Sequence, residues 1–249
     1  MKNNDCRIYR WLTVVFVLLL LSVCKVNAQS VTYQVRAVHS TRVHVVYVDL
    51  KDSSLFVTPA IAYNRLGRRQ SFSSFQSVYR PLAQITGVYF GFADSLPVGD
   101  IVINGHAYYD GAVGSALAIT HGNYATIIDV PYHQRRTWSG YQSVLQGGIR
   151  LVRNGRRSLS PHSQGFHDPG LFQRAPRTAV GITSSNKLLL VASSRGQTLS
   201  ELADVMRSLG CRDAMSLDGG GSTGLAYRGR VIIAPGRSLS NVLMVTRRH

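Results

Sequence analysis

Short apolar and β-branched runs, separated by turn-forming residues, occupy most of the chain between residues 43 and 245. The clearest turns are Asn104-Gly105 and Asn154-Gly155, since both central residues of a tight hairpin must accept positive φ. Many short strands joined by local turns favour antiparallel pairing and exclude a helical bundle. We therefore predict an α+β fold in one domain, with mixed, mainly antiparallel sheets and few helices.

The predicted strands share β-branched or apolar composition and end at Gly, Asn, Asp or Ser. They lie at 43–49, 55–58, 85–90, 100–103, 107–109, 125–130, 149–152, 179–182, 188–192, 214–217, 225–227, 231–233 and 241–245.

Two segments are predicted to be helical. In the longer one, at 198–210, Thr198 and Glu201 have the spacing of a capping box, and Gly210 suits the position after the last turn. The shorter one spans 71–79 and ends before Pro81. Residues 156–176 carry no apolar periodicity and are predicted to be a long loop, typical of a lid or a binding segment.

The first 28 residues have the order of a secretory signal peptide. A basic start containing Arg7 and Arg10 precedes the apolar run 11–23, and Ala28 supplies a small residue for cleavage. The run is short for a membrane span. We expect a signal peptide at 1–28, a domain at 29–249, and an exported protein that is periplasmic or secreted. A lipid anchor on Cys24 is the less favoured alternative, because Val23 is larger than the residue usual before a lipidated cysteine.

Cysteine and charge restrict the function further. Cys6 and Cys24 fall in the predicted leader, so Cys211 has no partner for an intramolecular disulfide and is predicted to be a buried structural residue. The net charge is +16, almost all of it from scattered arginines. This charge favours anionic glycans or an anionic envelope surface as partners. Nucleic acid is excluded as a partner, since no nucleic-acid module is recognised.

One glycine-rich segment stands out, running from Leu217 and Asp218 through Gly219-Gly220-Gly221-Ser222. It follows a predicted helix and an apolar strand, so it is not a linker. Three glycines allow a tight turn whose bare N–H groups can surround an anion, with a carboxylate at the end of the strand. The alternative from the pattern alone is a strained turn that Asp218 merely caps.

This segment and its flanks resemble the phosphodiester glycosidase family. The resemblance rests on a helix, a strand, the residues Asp218 to Ser222, a hairpin and then Ser240-Asn241, in that order. Upstream, Pro176-Arg177-Thr178 opens a strand similar to one of that family, and the resemblance extends over about residues 84–245. It implies a hydrolase that cleaves the glycosidic bond of a sugar-1-phosphodiester. We expect no cofactor, and a metal requirement is left open.

The resemblance assigns a catalytic role to Asp218 and Arg177. The substrate-binding residues it implies are Thr178, Gly219, Gly220, Gly221, Ser222, Asn241, Arg195 and His167. Two positions depart from the family pattern: Thr86 stands where an asparagine is usual, and Ser193 where an aspartate is frequent. These departures leave a non-catalytic glycan- or phosphate-binding domain of the same fold as the alternative.

The chemistry of such a bond fits the residues. Cleavage at an anomeric carbon needs a carboxylate near the sugar, and positive charge or N–H groups at the phosphate. Glu201 is the single glutamate in the sequence and is assigned to the capping box, so Asp218 is the best candidate carboxylate. We predict that Arg177 and the N–H groups of 219–222 form one anion site. A second carboxylate is left open among Asp94, Asp100, Asp110, Asp129 and Asp168.

Histidines and aromatic residues leave two further alternatives open. His133, His162, His167 and Asp168 invite a metal site, but their spacing matches no metal motif, and His167-Asp168 is better explained as part of a sugar pocket. Aromatic side chains could stack on a sugar, although core packing is the favoured explanation; these are Tyr89, Phe90, Tyr108, Tyr109 and Trp138.

Overall fold

The structure is a computed structural model that describes residues 29–248. The predicted signal peptide, its cleavage site and Cys24 lie outside the described residues. Within them the chain forms three sheets and two α-helices, and every strand pair is antiparallel. This sheet-rich arrangement agrees with the predicted α+β class. In this part of the chain, no helix has the length and apolarity needed to cross a membrane.

The strands are numbered in chain order. They are β1 (Val31–Val38), β2 (Thr41–Asp49), β3 (Leu55–Ile61), β4 (Ala83–Thr86), β5 (Ile101–Ile103), β6 (His106–Tyr109), β7 (Ser115–Thr120), β8 (Ala125–Asp129), β9 (Tyr141–Gly148), β10 (Arg150–Arg153), β11 (Arg156–Arg157), β12 (Ala175–Thr183), β13 (Lys187–Gln197), β14 (Cys211–Ser216), β15 (Leu225–Tyr227), β16 (Arg230–Ile233) and β17 (Asn241–Arg247). The helices are α1 (Phe72–Tyr79) and α2 (Leu199–Ser208).

The largest sheet has seven strands in the order β1-β2-β13-β12-β14-β10-β11. A five-stranded sheet has the order β16-β15-β4-β17-β3, and a second has the order β6-β5-β9-β7-β8. One buried cluster takes side chains from all three, including Val46 of β2, Leu243 of β17 and Leu117 of β7. The three sheets therefore share one apolar core, which fixes their edges relative to one another.

Helix α2 packs on the seven-stranded sheet. Its apolar face, with Leu202 and Met206, belongs to the same buried cluster as Leu151 and Ala214 of the sheet. The predicted capping box is confirmed: Thr198 accepts from the Glu201 N–H, and the Glu201 side chain accepts from the Thr198 N–H. Gly210 adopts a φ of +84°, as predicted for the residue that ends this helix.

The other local predictions have mixed outcomes. Helix α1 is confirmed, with Ser71 as its cap, and both Asn-Gly hairpin turns have positive φ at each residue.

The strand predicted at 85–90 is wrong beyond Thr86, because the backbone there leaves the sheet. Strands β1, β7 and β9 were not predicted. β7 and β9 are almost wholly buried and lack the alternation that marks a half-exposed strand.

The segment at 156–176, predicted to be a long loop, contains a few short regular elements. It holds β11 and two 3₁₀ turns, His162–Gln164 and Pro169–Phe172, before β12 begins at Ala175. Asp168 caps the second turn by accepting from the Gly170 N–H at 2.8 Å. These turns carry the segment across the end of β14, where the glycine-rich segment follows.

Candidate active site

Four chain segments meet where β14 ends. The N–H of Leu217 donates to the Thr178 carbonyl of β12 at 3.0 Å. The N–H of Asp218 donates to the carbonyl of Gly87, just beyond β4, at 2.9 Å. Strand β14 lies beside β12, and β17 lies beside β4. The carboxylate of Asp218 is thus held at a junction between two sheets, where a strand end opens onto a cavity.

Two threonine hydroxyls fix the glycine-rich turn from below. Thr178 donates to the Asp218 carbonyl and Thr86 donates to the Ser222 carbonyl, each at 2.5 Å. Both threonines are buried. The departure from the family pattern at Thr86 therefore lies in the support of the turn, because its hydroxyl satisfies a carbonyl of the turn itself.

Asn241 is buried at the start of β17 and acts on the backbone. Its amide oxygen accepts from the Val88 N–H at 2.8 Å, and its amide nitrogen donates to the Val88 carbonyl at 3.2 Å. A Cβ at Gly87 would lie only 1.8 Å from Oδ1 of Asn241, so the two residues require each other. Asn241, predicted to bind substrate, is placed here to hold the backbone segment between Thr86 and Tyr89.

A cavity of about 410 Å³ opens above the turn. Its apolar wall is aromatic and consists of Tyr89, Phe90, Phe92 and Phe166. Its polar residues are His167, Asp168, Arg177, Asp218 and Arg237, together with the backbone of Gly219 and Gly220. An aromatic wall opposite a carboxylate and two guanidinium groups suits a sugar that carries an anionic substituent.

Asp218 has the electrostatics of a reactive group. Burial raises its pKa to about 6, against the opposing effects of the Ser222 hydroxyl, the charge of Arg237 and the Gly219 N–H. The carboxylate forms no ion pair among the described residues. Ser222 and Thr223 follow it in the turn, and their buried hydroxyl oxygens do not line the cavity. A carboxylate whose pKa is raised by burial at the wall of a cavity is typical of a reactive site.

Tyr89 lies between the core and the cavity. Burial raises its pKa to about 12, so the phenol stays protonated at neutral pH. Its hydroxyl is 3.3 Å from Ser216 Oγ, and its ring packs edge-on against Phe166 with centroids 5.5 Å apart. The phenol is influenced by the charges of Asp218 and Arg177, which places all three groups in one neighbourhood.

Arg177 lies beneath the turn, with its donors engaged. A Cβ at Gly219 would be 3.7 Å from both Cα and Cδ of Arg177. The guanidinium donates through Nε to the Gln197 carbonyl at 2.9 Å and through Nη2 to the carbonyls of Leu171 and Gln173. Burial lowers its pKa, and its side chain is almost wholly enclosed. The arginine is near the predicted anion site, but much of its hydrogen-bonding capacity goes to the backbone of the 156–176 segment.

The turn itself uses one of its predicted anion donors internally. Residues Gly220–Ser222 form a single 3₁₀ turn, and the Ser222 N–H donates to the Gly219 carbonyl at 3.0 Å. Gly220 has a φ of +57°, which a glycine accepts without strain. The backbone of Gly219 and Gly220, at the start of the turn, lines the cavity.

Arg237 was not singled out from the sequence. It follows β16 in a loop whose Gly236 N–H donates to the Gly221 carbonyl at 2.9 Å. Its guanidinium lies 5.1 Å from the centre of the Phe92 ring and lines the cavity. A single arginine in a polar loop carries no periodic signal, and its spacing from Asp218 has no motif.

The remaining predicted residues are dispersed. Arg195 is exposed near the start of β2, where it donates to the Ser40 carbonyl, and does not line the cavity. Ser193 is buried and donates to the Arg42 carbonyl at 3.2 Å, also away from the cavity. Of the open carboxylates, Asp168 alone shares the cavity with Asp218. The others lie elsewhere: Asp94 in its own turn, Asp100 against Trp138, Asp110 with Arg135, and Asp129 with Arg150.

Some of the predicted aromatic residues line the cavity and others do not. Tyr89 and Phe90 line the cavity, whereas Tyr109 and Trp138 lie at a different depression on the third sheet. Cys211 is a free, buried thiol whose pKa burial raises to about 12, as expected of a structural cysteine. No group of three metal-ligating side chains occurs within residues 29–248.

Comparison with known proteins extends this picture. The family model described as phosphodiester glycosidase matches residues 79–246. No curated protein matches the chain. Among solved structures, a hypothetical protein from Synechocystis has a TM-score of 0.70 and 16% identity, over 88% of this chain and 62% of that one. The chain thus spans less than two thirds of the Synechocystis protein.

Two further solved structures share the fold. The zebrafish N-acetylglucosamine-1-phosphodiester alpha-N-acetylglucosaminidase catalytic domain, auto-inhibited by its pro-peptide, has a TM-score of 0.69 and 18% identity, over 88% of this chain and 82% of that one. A Burkholderia pseudomallei protein described as exported has a TM-score of 0.59 and 17% identity, over 83% and 74% of the two chains. At these identities the structures show the fold, whereas the family model covers most of the sequence. The chain belongs to the phosphodiester glycosidase family.

Proposed function

We propose that the protein is an exported hydrolase that cleaves the glycosidic bond of a sugar-1-phosphodiester. The observation that carries this proposal is Asp218, a carboxylate at the end of a buried strand with a pKa raised to about 6. It faces a cavity of about 410 Å³ that has an aromatic wall and two arginines. Family membership supports the same reaction class.

In the proposed reaction, Asp218 is the general base that activates a water molecule. The ionised Asp218 accepts a proton from a water molecule, and the water oxygen forms a bond to the anomeric carbon. The bond from that carbon to the phosphate oxygen breaks, and its electron pair leaves with the phosphate. One water is consumed, and the products are a free sugar and a phosphate monoester. A phosphate is a weakly basic leaving group, so protonation of the departing oxygen contributes little.

The other residues bind and orient. His167 and Asp168 approach the sugar from the 156–176 segment, while the aromatic wall offers an apolar face to its ring. Thr178 holds the backbone of Asp218, and Asn241 holds the backbone of Val88. Arg177 holds the backbone of the 156–176 segment and adds positive charge near the turn. The proposal assigns no metal and no cofactor to these steps.

Turnover separates this function from its alternative, a glycan- or phosphate-binding domain without catalysis. The purified protein is incubated with a panel of sugar-1-phosphodiesters, and the released reducing sugar and phosphate monoester are measured. We expect hydrolysis of at least one member of the panel, and equimolar products. Binding of these compounds, measured by calorimetry, without any product would support the non-catalytic alternative and overturn the proposed function.

Export is proposed from the order of residues in 1–28 and is tested separately. The mature protein, recovered from the medium or the periplasm of an expressing bacterium, is expected to begin at Gln29. Recovery of a chain that begins with a lipid-modified Cys24 would place the protein on a membrane instead. Retention of the full leader in the cytoplasm would refute export.

A further inference from the structure

Arg237 differs from Arg177 in what its guanidinium can still bind. The donors of Arg177 are directed to backbone carbonyls of Gln197, Leu171 and Gln173. Arg237 makes no side-chain hydrogen bond and no ion pair among the described residues. Its Nε and Nη2 edge lies against the turn, because a Cβ at Gly221 would be 2.6 Å from Nη2 and 2.9 Å from Nε. The guanidinium is thus placed by Gly221 and by the Phe92 ring, and its N–H groups make no hydrogen bond among the described residues.

The surroundings of Arg237 place its guanidinium beside the candidate catalytic carboxylate. The charge of Arg237 acts on the Asp218 carboxylate, and both residues line the same cavity. The backbone of Gly219 and Gly220 lines that cavity as well. A guanidinium that makes no hydrogen bond to the described residues and lies beside a glycine turn can bind a phosphate strongly.

Arg237 also stands between two cavities. The cavity above Asp218 has a neighbour of about 330 Å³, lined by Ser71, Ser73, Val231 and Ser238, among others. Arg237 is the residue that lines both of them. A phosphodiester carries two substituents on one phosphorus, so a phosphate bound at Arg237 directs its two substituents to opposite sides.

We infer that Arg237 is the phosphate-binding residue of the site, and that the second cavity receives the alcohol substituent of the phosphodiester. The assignment of Arg237 does not depend on the proposed function. The assignment of the second cavity rests on the proposed function. Three serines line the second cavity, at positions 71, 73 and 238, beside the apolar side chains of Phe72, Val231 and Pro235. This lining can accept an alcohol that has both hydroxyl groups and an apolar face.

Phosphate binding tests the first part without any turnover. Inorganic phosphate is titrated calorimetrically into the wild type, Arg237→Gln and Arg156→Gln. Arg156 is an exposed arginine on β11, away from both cavities, and matches the change in charge. Loss of charge-assisted hydrogen bonds predicts an affinity about tenfold to a hundredfold weaker in Arg237→Gln. Equal affinities in all three proteins would overturn the assignment of Arg237.

Obstruction of the second cavity tests the second part. Val231 lies on the edge strand β16 and is 37% exposed, and Val35 on the edge strand β1 is 42% exposed. Val231→Trp fills the second cavity, and Val35→Trp is its matched control. The kcat/KM values are compared for a methyl diester and a polyol diester of the same sugar-1-phosphate.

We expect Val231→Trp to lower the preference for the polyol diester over the methyl diester by about tenfold, and Val35→Trp to leave it unchanged. An unchanged preference in Val231→Trp would overturn the second cavity as the binding place of the alcohol. Hydrolysis of neither diester by the wild type would overturn the proposed function and the second cavity together. The phosphate titration decides the role of Arg237 in either case.

Discussion

Asp213 and Asp218 are five positions apart but differ in their ion pairing. Asp213 lies within β14, and Asp218 lies just beyond its end. Asp213 is paired with Arg212 at 2.7 Å and with Arg150 at 3.6 Å. Arg150 in turn donates to Asp129 at 2.6 Å and to the Ile127 carbonyl at 2.8 Å, which joins the seven-stranded sheet to the third sheet. Asp218 has no ion pair in the described residues, and its pKa rises to about 6. One carboxylate is neutralised by its neighbours and the other is left available.

The difference shows how one strand can serve both stability and chemistry. Pairing offsets part of the cost of burying a charge, and removing one partner is expensive because it leaves the other charge uncompensated. A buried carboxylate without an ion-pair partner destabilises the fold when it ionises. The same burial raises its pKa, so the ionised form takes up a proton more readily. The residues after β14 therefore trade stability for reactivity, while those within it do the reverse.

The largest effect is expected at the unpaired carboxylate. Asp218→Asn keeps the shape of the side chain but cannot accept a proton from water, so kcat should fall by roughly a thousandfold or more. The measurement is the rate of product release from the best diester of the panel. Circular dichroism should show an unchanged fold. A folded Asp218→Asn protein with wild-type turnover would remove Asp218 from the mechanism.

The paired cluster should respond in stability instead. Arg150→Ala removes a buried arginine from two carboxylates that keep Arg153 and Arg212 as partners, and we expect unfolding free energy to fall by about 2 to 3 kcal/mol. Denaturant titration measures the change. Arg156→Ala removes an exposed arginine and should cost less than about 0.5 kcal/mol. Equal small effects in both variants would mean that the cluster contributes nothing to the joining of the sheets.

The pH dependence of activity follows from the direction of the Asp218 shift. The carboxylate must be ionised to accept the water proton, and burial raises its pKa to about 6. We expect kcat/KM to rise about tenfold between pH 5 and pH 7 and then to level off. Stopped assays in buffers of constant ionic strength measure the profile. A rate that falls over this interval would show that the protonated form is the active one.

The smallest effect is a gain in stability from the same substitution. The native state holds the Asp218 proton more tightly than the unfolded chain, so ionisation costs stability as the pH rises from about 4 through 6. Asp218→Asn removes that cost and should stabilise the protein at pH 7.5 by about 1 to 2 kcal/mol, after allowance for partial solvent exposure. The gain should vanish near pH 4. Thermal unfolding at both pH values measures it, and equal shifts at the two would contradict the raised pKa.

Local patterns gave the secondary structure that depends on neighbours in sequence. The capping box of Thr198 and Glu201 and the Asn-Gly turns are satisfied within a few residues, so they could be predicted directly. β7 and β9 could not, because burial on both faces removes the alternation that identifies a strand. The turn after β14 was marked by its glycines: a Cβ at Gly219 would lie 2.8 Å from the Pro176 carbonyl oxygen, and Gly220 has a positive φ.

The sequence by itself determined that a carboxylate precedes a glycine-rich turn at the end of an apolar strand, and that the chain resembles one family of hydrolases. Only the tertiary structure decided what surrounds that carboxylate. In the folded chain, Arg177 donates to backbone carbonyls and Arg195 lies outside the cavity. Arg237 lies against Gly221. These outcomes depend on which sheet edges meet, and that is fixed by the core shared among the three sheets rather than by spacing along the chain.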